Sequence, residues 1–307
     1  MDKLLYIRYS TERTKSSAIC TEIRQDESGK KYVIKRPYSA EAKAHVENLF
    51  QWFKKLSEIF EGTDIKINQC EPKEDSMVFE YLEGKTLEEE LDILLEDKNY
   101  EGFFYLMRKF FDILVKNHSQ TSFIMTEEFK KVFGDLPVPE GLPCGQVNNI
   151  DMIFRNVIIH EGWNVIDYEW TFDFPVPVAF VIYRGILHYM DREKIKGKLA
   201  FDLFEEFNIT PEDKELYHRM ERGFISHVTG GLYSVRMHGV MMNNRKIAVI
   251  EELEKNSVEI EWRKEEAKFY QDELQRVYDS RSFKVAVMMS KMLNRARGVL
   301  GKRTEYS

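Results

Sequence analysis

The hydrophobic pattern of this chain changes period near Gly84, and that change limits the folds open to it. Before Gly84, short apolar or alternating runs at residues 4–9, 18–24, 32–35, 65–68 and 77–81 read as strands. Glu27-Ser28-Gly29 supplies a hairpin turn between the second and third runs, and residues 71–75 read as a polar turn between the last two. One segment in this half departs from the pattern. Ala42, Val46, Leu49, Phe50, Phe53 and Phe60 recur at helical steps, so residues 40–60 form an amphipathic helix, with Ser39 at its N-cap position. After Gly84 the pattern is helical over 86–95, 100–117, 178–190, 192–207 and 211–227, with Pro211 suited to a first turn. Two apolar runs, Val157-Ile158-Ile159 and Val165-Ile166, interrupt the helices as a tight hairpin around His160-Glu161-Gly162. The pattern predicts an α+β chain with a β-rich lobe over 1–82, a helical lobe over 83–245 and a helical extension over 246–307. A cleft between two such lobes is a common ligand site.

Bulk properties exclude several functions. No apolar run reaches the roughly 18–20 residues of a membrane span, and the first residues lack the pattern of a secretory signal. Cys20, Cys70 and Cys144 are widely spaced and form no CxxC pair, which predicts reduced thiols and a cytoplasmic setting. The net charge of −7 divides into a basic tail from Arg281 onward and an acidic remainder, which argues against nucleic acid as a partner. The His residues are scattered without an HExxH arrangement, and no G-x-S-x-G anchors a hydrolase triad.

The residues that point to chemistry cluster around the hairpin. Asp151 and Asn156 stand in a D-x-x-x-x-N spacing, and Asp167 ends the apolar run that follows. Phosphoryl transfer from ATP needs a carboxylate to orient an acceptor hydroxyl and take its proton. It also needs a side-chain oxygen and a second carboxylate to hold Mg²⁺ on the phosphates. Asp151 fits the first role, and Asn156 and Asp167 fit the metal roles. The blander reading makes Asp151 and Asn156 turn residues and Asp167 a helix cap. Lys35 ends the strand Tyr32-Val33-Ile34, as a phosphate-pairing lysine does. Its carboxylate partner is expected on the helix that follows, at Glu41 in preference to Glu47. The strand 77–81 runs into an acidic connector, where main-chain groups at Glu80 and Leu82 are placed to bond an adenine edge. Trp163 and Trp170 are candidates to line an acceptor site.

These segments resemble the protein-kinase-like superfamily, nearer to its aminoglycoside and small-molecule kinases than to protein kinases. Within it they resemble the kinase domains attached to methyltransferases and glycosyltransferases of bacterial surface-polysaccharide synthesis. The resemblance is carried by Tyr9-Ser10-Thr11-Glu12-Arg13, by residues 31–46 and above all by residues 149–184, with Ile166-Asp167-Tyr168-Glu169-Trp170 at its centre. It covers residues 1–245. It implies a two-lobed kinase-like fold and an ATP- and Mg²⁺-dependent kinase acting on a sugar or glycan hydroxyl, with methyltransferase or glycosyltransferase partners. Two positions depart from the family pattern. Residues 10–18 hold no glycine, so hydroxyls of Ser10, Thr11, Ser16 and Ser17 are the expected substitutes for a glycine-rich phosphate loop. Asn149 stands where the family places a His. The alternative class is a kinase-fold scaffold without catalysis, which the missing glycines favour and the intact Asp151, Asn156 and Asp167 set disfavours.

In the extension, Leu253, Ile260, Ala267 and Leu274 repeat every seven residues, but Ser257, Lys264 and Gln271 occupy the companion seam, so any coiled coil is weak. Further on, Phe283, Val287, Met288, Met292 and Leu293 share a helical face with Lys284, Lys291, Arg295 and Arg297 nearby. Such a helix over 281–300 suits peripheral contact with an anionic membrane surface. It equally suits an interdomain linker or a helix packed on a partner. If membrane contact is its role, the full chain co-sediments with anionic liposomes at low salt and a chain ending at Asp279 does not. Equal binding by both chains, or by neither, removes the membrane reading.

Overall fold

A computed structural model describes residues 2–231 apart from 11, 119, 193, 196–198 and 200, together with 268 and 275. All but Lys268 and Gln275 of these lie in the compact unit Met1–Asn243. The seven-residue repeat, the amphipathic tail and the rest of the extension expected over 246–307 lie outside the described residues.

The architecture is α+β, with a sheet-rich first part and a helical second part. Strands β1 (Lys3–Tyr9), β2 (Ile19–Gln25) and β3 (Lys31–Pro37) form an antiparallel meander. The β2–β3 turn is tied by Asp26, whose Oδ1 accepts from the Ser28 and Lys30 N–H groups, and by Gly29 at φ +90°. Helix α1 (Lys43–Ile59) follows, then β4 (Ile65–Ile67), β5 (Cys70–Lys73) and β6 (Ser76–Glu80). Five strands pair in the order β1-β2-β3-β6-β5, and α1 buries Val46, Leu49 and Leu56.

The second part begins with α2 (Leu87–Glu96), held at its start by a reciprocal capping box between Thr86 and Glu89. Next come α3 (Tyr100–His118), β7 (Thr121–Ser122), α4 (Glu127–Phe133), β8 (Pro143–Cys144) and β9 (Asn148–Asn149). The hairpin β10 (Val157–Ile159) and β11 (Trp163–Val165) precedes β12 (Thr171–Phe172), and α5 (Val178–Met190), α6 (Leu203–Glu206) and α7 (Pro211–Thr229) complete the unit. Fully buried Phe103, Phe110, Phe154 and Tyr189 pack edge-on or tilted around α3. Burial of each such ring stabilises by roughly 1.5–3 kcal/mol before entropy is counted. Among the described residues no helix is long and apolar enough to cross a membrane, and Cys20, Cys70 and Cys144 are buried and unbridged.

Three local expectations are corrected and one helix is added. The Ser39 hydroxyl donates to the Lys15 carbonyl at 2.8 Å instead of capping, and a 3-10 turn, Ala40–Ala42, precedes the α-helix. The polar stretch after Cys70 is largely strand β5, and the reversal narrows to Glu74, at φ +53°, and Asp75. Helix α4 lies in a stretch to which the sequence pattern assigns no element, and Phe129, Val132 and Phe133 give it a buried face while Thr126 caps it. The helix expected over 192–207 is reduced, among the described residues, to Leu203–Glu206.

Helices α4 and α7 approach closely because Gly223 lacks a side chain. A Cβ there would overlap the Phe133 carbonyl. Gly223→Ala is therefore expected to destabilise by about 1–3 kcal/mol through overpacking, against the gain of about 1 kcal/mol that helix propensity alone predicts. Urea unfolding distinguishes the two signs.

Candidate active site

Three elements converge on one cleft. Strand β3 brings Lys35, the segment after β9 brings Asp151 and Asn156, and the segment after β11 brings Asp167. Parallel pairing of β4 with β11, Ile65 opposite Trp163 and Ile67 opposite Val165, fastens the hairpin to the chain that leads back into the large sheet. The Asn68 N–H donates to the Val165 carbonyl at 2.9 Å, and the Tyr168 hydroxyl donates to the Asn68 carbonyl at 2.9 Å. On the other side, β9 pairs with β12, Asn149 opposite Thr171, and the Ile150 N–H reaches the Trp170 carbonyl at 3.1 Å. The Ile166 N–H donates to the Asn156 carbonyl at 2.9 Å. Backbone bonds thus bring both predicted carboxylates and the predicted amide together.

Side chains refine that placement. Asn149 accepts from the Asp151 N–H at 2.9 Å and donates to the Asp167 carbonyl at 3.2 Å, so one buried amide spans the two functional segments. Asn156 donates its Nδ2 to the Asp151 carbonyl at 3.1 Å, which leaves Oδ1 as the atom available to a ligand. Lys35 Nζ donates to Asp167 Oδ1 at 2.7 Å and lies 3.8 Å from Glu169 Oε2. Burial alone would lower the Lys35 ammonium, but Asp167 and Glu169 hold it above its ordinary value.

The partner expected for Lys35 is corrected. Glu41 is exposed on the 3-10 turn, and Glu47 lies 3.9 Å from Lys43. The face of α1 nearest Lys35 presents His45, whose Nε2 is 4.0 Å from Glu169. Burial, with Arg13 and Lys35 nearby, pushes His45 down to about 4 despite the opposing pull of Glu169, so it stays neutral at physiological pH. Lys35 is paired with Asp167 instead, and Glu169 is the second carboxylate near it. Burial would raise its carboxyl, but Lys35 and Arg13 bring it down to about 2. Arg13 Nη2 donates to Glu169 Oε1 at 2.5 Å, and its guanidinium lies 5.2 Å from the Trp170 ring centre. Trp170 packs edge-on against Phe224 and Trp163 against Phe110, so both tryptophans belong to the core and not to an acceptor surface.

Behind Asp151 stands a second charged group that the sequence reading missed. Arg184 Nη2 is 3.0 Å from Asp151 Oδ1, and its Nε is 3.2 Å from Glu221 Oε2. His188, one turn after Arg184, lies 3.7 Å from Glu221. The available signal was an arginine and a histidine four residues apart within the otherwise apolar helix α5, since a buried arginine needs a carboxylate partner.

Lys35, Asn156, Asp167, Glu169 and Arg13 line a cavity of about 880 Å³, with Val33, Phe79 and Ile158 as apolar walls and residues Glu80 to Gly84 along one edge. Both connector positions predicted to meet a ligand, Glu80 and Leu82, line the cavity, and the Glu80 carbonyl already accepts from Asn68 Nδ2 at 3.0 Å. Asp151 is buried and does not line it. A larger concavity of about 1180 Å³ lies along α3 near Tyr105 and Lys109 and contains none of the predicted site residues. No group of three His, Cys, Asp or Glu side chains among the described residues is arranged to hold a metal by itself. A Mg²⁺ carried on phosphates needs only one or two protein oxygens, and the Asp167 carboxylate with Asn156 Oδ1 would fit such a set.

No family model matches the chain, and no curated protein matches it. Among solved structures it is similar to the streptomycin–ATP–APH(2")-IIa ternary complex, at 14% identity over 72% of this chain and 79% of that one, with a TM-score of 0.39. It is also similar to macrolide 2'-phosphotransferase MphH from Brachybacterium faecium, at 9% identity over 78% and 93% with a TM-score of 0.37. A third similar structure is a macrolide 2'-phosphotransferase type I, at 13% identity over 80% and 93% with a TM-score of 0.38. Likeness at this level leaves the site's own geometry as the basis for a functional reading.

That geometry fixes one titration. Burial, with Asp167, Glu169 and Glu221 around it, raises the Asp151 carboxyl to about 6 even though Arg184 pulls it down. Carboxyl carbon NMR is expected to show Asp151 titrating near pH 6. The same group in Arg184→Lys, where the planar two-sided contact is lost, is expected to titrate higher.

Proposed function

We propose that the cleft binds a nucleoside triphosphate with Mg²⁺ and transfers its γ-phosphoryl group to an alcohol of a small molecule or glycan terminus. The observation that carries this reading is the Lys35–Asp167 contact at 2.7 Å beside Asn156 and Asp151. It joins a strand-borne cation, two metal-competent oxygens and a carboxylate raised toward neutrality in one place. Asp167 and Asn156 would hold Mg²⁺, which supplies charge neutralisation on the phosphate oxygens. Lys35 is the cation for the phosphates. The backbone of Leu82 and the apolar walls Val33 and Ile158 form the adenine slot.

Asp151 accepts the proton of the acceptor hydroxyl as that oxygen bonds to the γ-phosphorus. The bond from the γ-phosphorus to the β-phosphate oxygen breaks, and the nucleoside diphosphate leaves with the electron pair. A carboxylate with a value of about 6 is ionised at neutral pH yet basic enough for this work. Arg184 and Glu221 hold it in position from behind. A role in surface-polysaccharide synthesis, with methyltransferase or glycosyltransferase partners, is the setting suggested by the resemblance of residues 149–184.

The second reading is a nucleotide-free scaffold, favoured by the glycine-free β1–β2 connection. Thermal unfolding separates the two. ATP and Mg²⁺ at about 100 times the dissociation constant stabilise by about 2.7 kcal/mol, which for a unit of this size is a rise of roughly 5–10 °C. Asp167→Ala is expected to abolish Mg²⁺-dependent transfer. Asp151→Asn is expected to lower kcat by about 10²–10⁴ with ATP affinity kept, and the wild-type rate should fall as pH drops through about 6. Absence of any ATP-dependent rise in the wild type favours the scaffold, and full activity in folded Asp167→Ala removes the metal assignment.

A further inference from the structure

The connection between β1 and β2 occupies the place where a glycine-rich turn would point backbone N–H groups at phosphate. Here four of those groups are committed elsewhere. The Ser10 N–H donates to the Ile19 carbonyl, Arg13 to Ser10, Thr14 to Val228 and Ser17 to Thr14, at 2.8–3.3 Å. The hydroxyls are engaged as well, since Thr14 Oγ1 lies 3.2 Å from Ser16 Oγ and 2.9 Å from Ser17 Oγ. The expectation that Ser16 and Ser17 replace the glycines is corrected by these contacts. What the connection does send into the cavity is Ser10 and Arg13, while Thr11 lies outside the described residues.

We propose that Arg13 is a phosphate-binding residue, whose guanidinium takes the place of the N–H groups of a glycine-rich turn. The proposal rests on the nucleotide reading of the same cleft. Arg13 is held against the cavity wall from three sides, by Glu169 Oε1 at 2.5 Å from its Nη2, by a long bond of 3.5 Å from its Nη1 to the Ser17 carbonyl, and by the face of Trp170 at 5.2 Å. Its fork of donors suits the tetrahedral oxygens of a phosphate, and its charge is permanent. Only 15% of its side chain is exposed, so a phosphate oxygen would meet a donor already stripped of most of its water.

A second observation points the same way. Glu169 Oε2 is buried without a hydrogen-bond partner, although Lys35 Nζ is 3.8 Å away and His45 Nε2 is 4.0 Å away. Lys35 is bonded instead to Asp167. Once Asp167 turns to a cation, Lys35 loses that partner, and Glu169 Oε2 is the acceptor within reach. Glu169 is then shared between Lys35 and Arg13, and both cations face the same polyphosphate. The two cations would face the polyphosphate and Asp167 the metal it carries, so each would meet a charge of opposite sign.

The test is calorimetric titration of the full chain with Mg·ATP and with adenosine, comparing wild type, Arg13→Gln and Arg13→Lys. The expected result is a tenfold or greater loss of Mg·ATP affinity in Arg13→Gln with adenosine affinity within twofold of wild type. Retained adenosine binding also reports that the variant folds. Arg13→Lys is expected to recover part of the loss. Equal loss for both ligands makes Arg13 a structural residue and overturns the proposal, as does unchanged Mg·ATP affinity. A wild-type chain that binds neither Mg·ATP nor Mg·tripolyphosphate overturns the nucleotide reading itself, and this proposal with it.

Discussion

Three residues of parallel pairing, Ile65–Ile67 against Trp163–Val165, set the position of everything that faces the cleft. The large sheet carries Lys35, and the hairpin leads into Asp167. Without a ladder between their supports, a 2.7 Å contact across 132 residues of chain would have no fixed geometry. The ladder is short, but it is buried. Ile65, Val165 and Trp163 are all in the core, so slipping it by one residue would turn those side chains to the wrong face. Tyr168 adds a second fastening to Asn68 beyond the end of the strand.

Two groups of buried charge sit on this support, and they are built differently. Arg13, Glu169, Lys35 and Asp167 form a line open to the cavity. Arg184, Asp151 and Glu221, with His188 beside them, form a knot behind it. Removing one partner from a buried pair leaves an uncompensated charge at a cost of about 3–5 kcal/mol, so neither group is a cheap way to stabilise a fold. An apolar filling of the same volume would serve stability as well. The two buried carboxylates end at opposite sides of their range for different reasons: Lys35 and Arg13 hold Glu169 low against its burial, while burial and the neighbouring carboxylates hold Asp151 high against the pull of Arg184.

Much of this was legible in the sequence where the signal was local. The strands of the large sheet alternate, α1 and α3 repeat at helical steps, and Asp151, Asn156 and Asp167 keep a recognisable spacing because the backbone bonds joining them run over a short stretch. Strand β5 was missed because Glu71, Pro72 and Lys73 are exposed and carry no apolar alternation. Helix α4 was missed because seven residues hold only one buried cluster. The partner of Lys35 was misplaced for a different reason. Glu169 reaches Arg13 across 156 positions, and no local pattern marks such a pair. The helix supplied two plausible glutamates, but both face solvent.

Gly84 has a consequence for how the cleft works as a mechanical object. A Cβ at that position would lie 2.6 Å from the Ile159 carbonyl, so the connector is pressed against β10. It is also stitched there, by the Ile159 N–H to the Lys85 carbonyl at 2.8 Å and by a bridge between Thr86 and Ile158. With the β4–β11 ladder on one side and this stitch on the other, the sheet and the hairpin share two separate attachments. A jaw joined at two points cannot swing about either one. If the cavity holds the nucleotide proposed above, its flat base would then enter a slot whose width these two attachments set, and its time of stay would follow from the contacts it makes and not from the speed of a hinge.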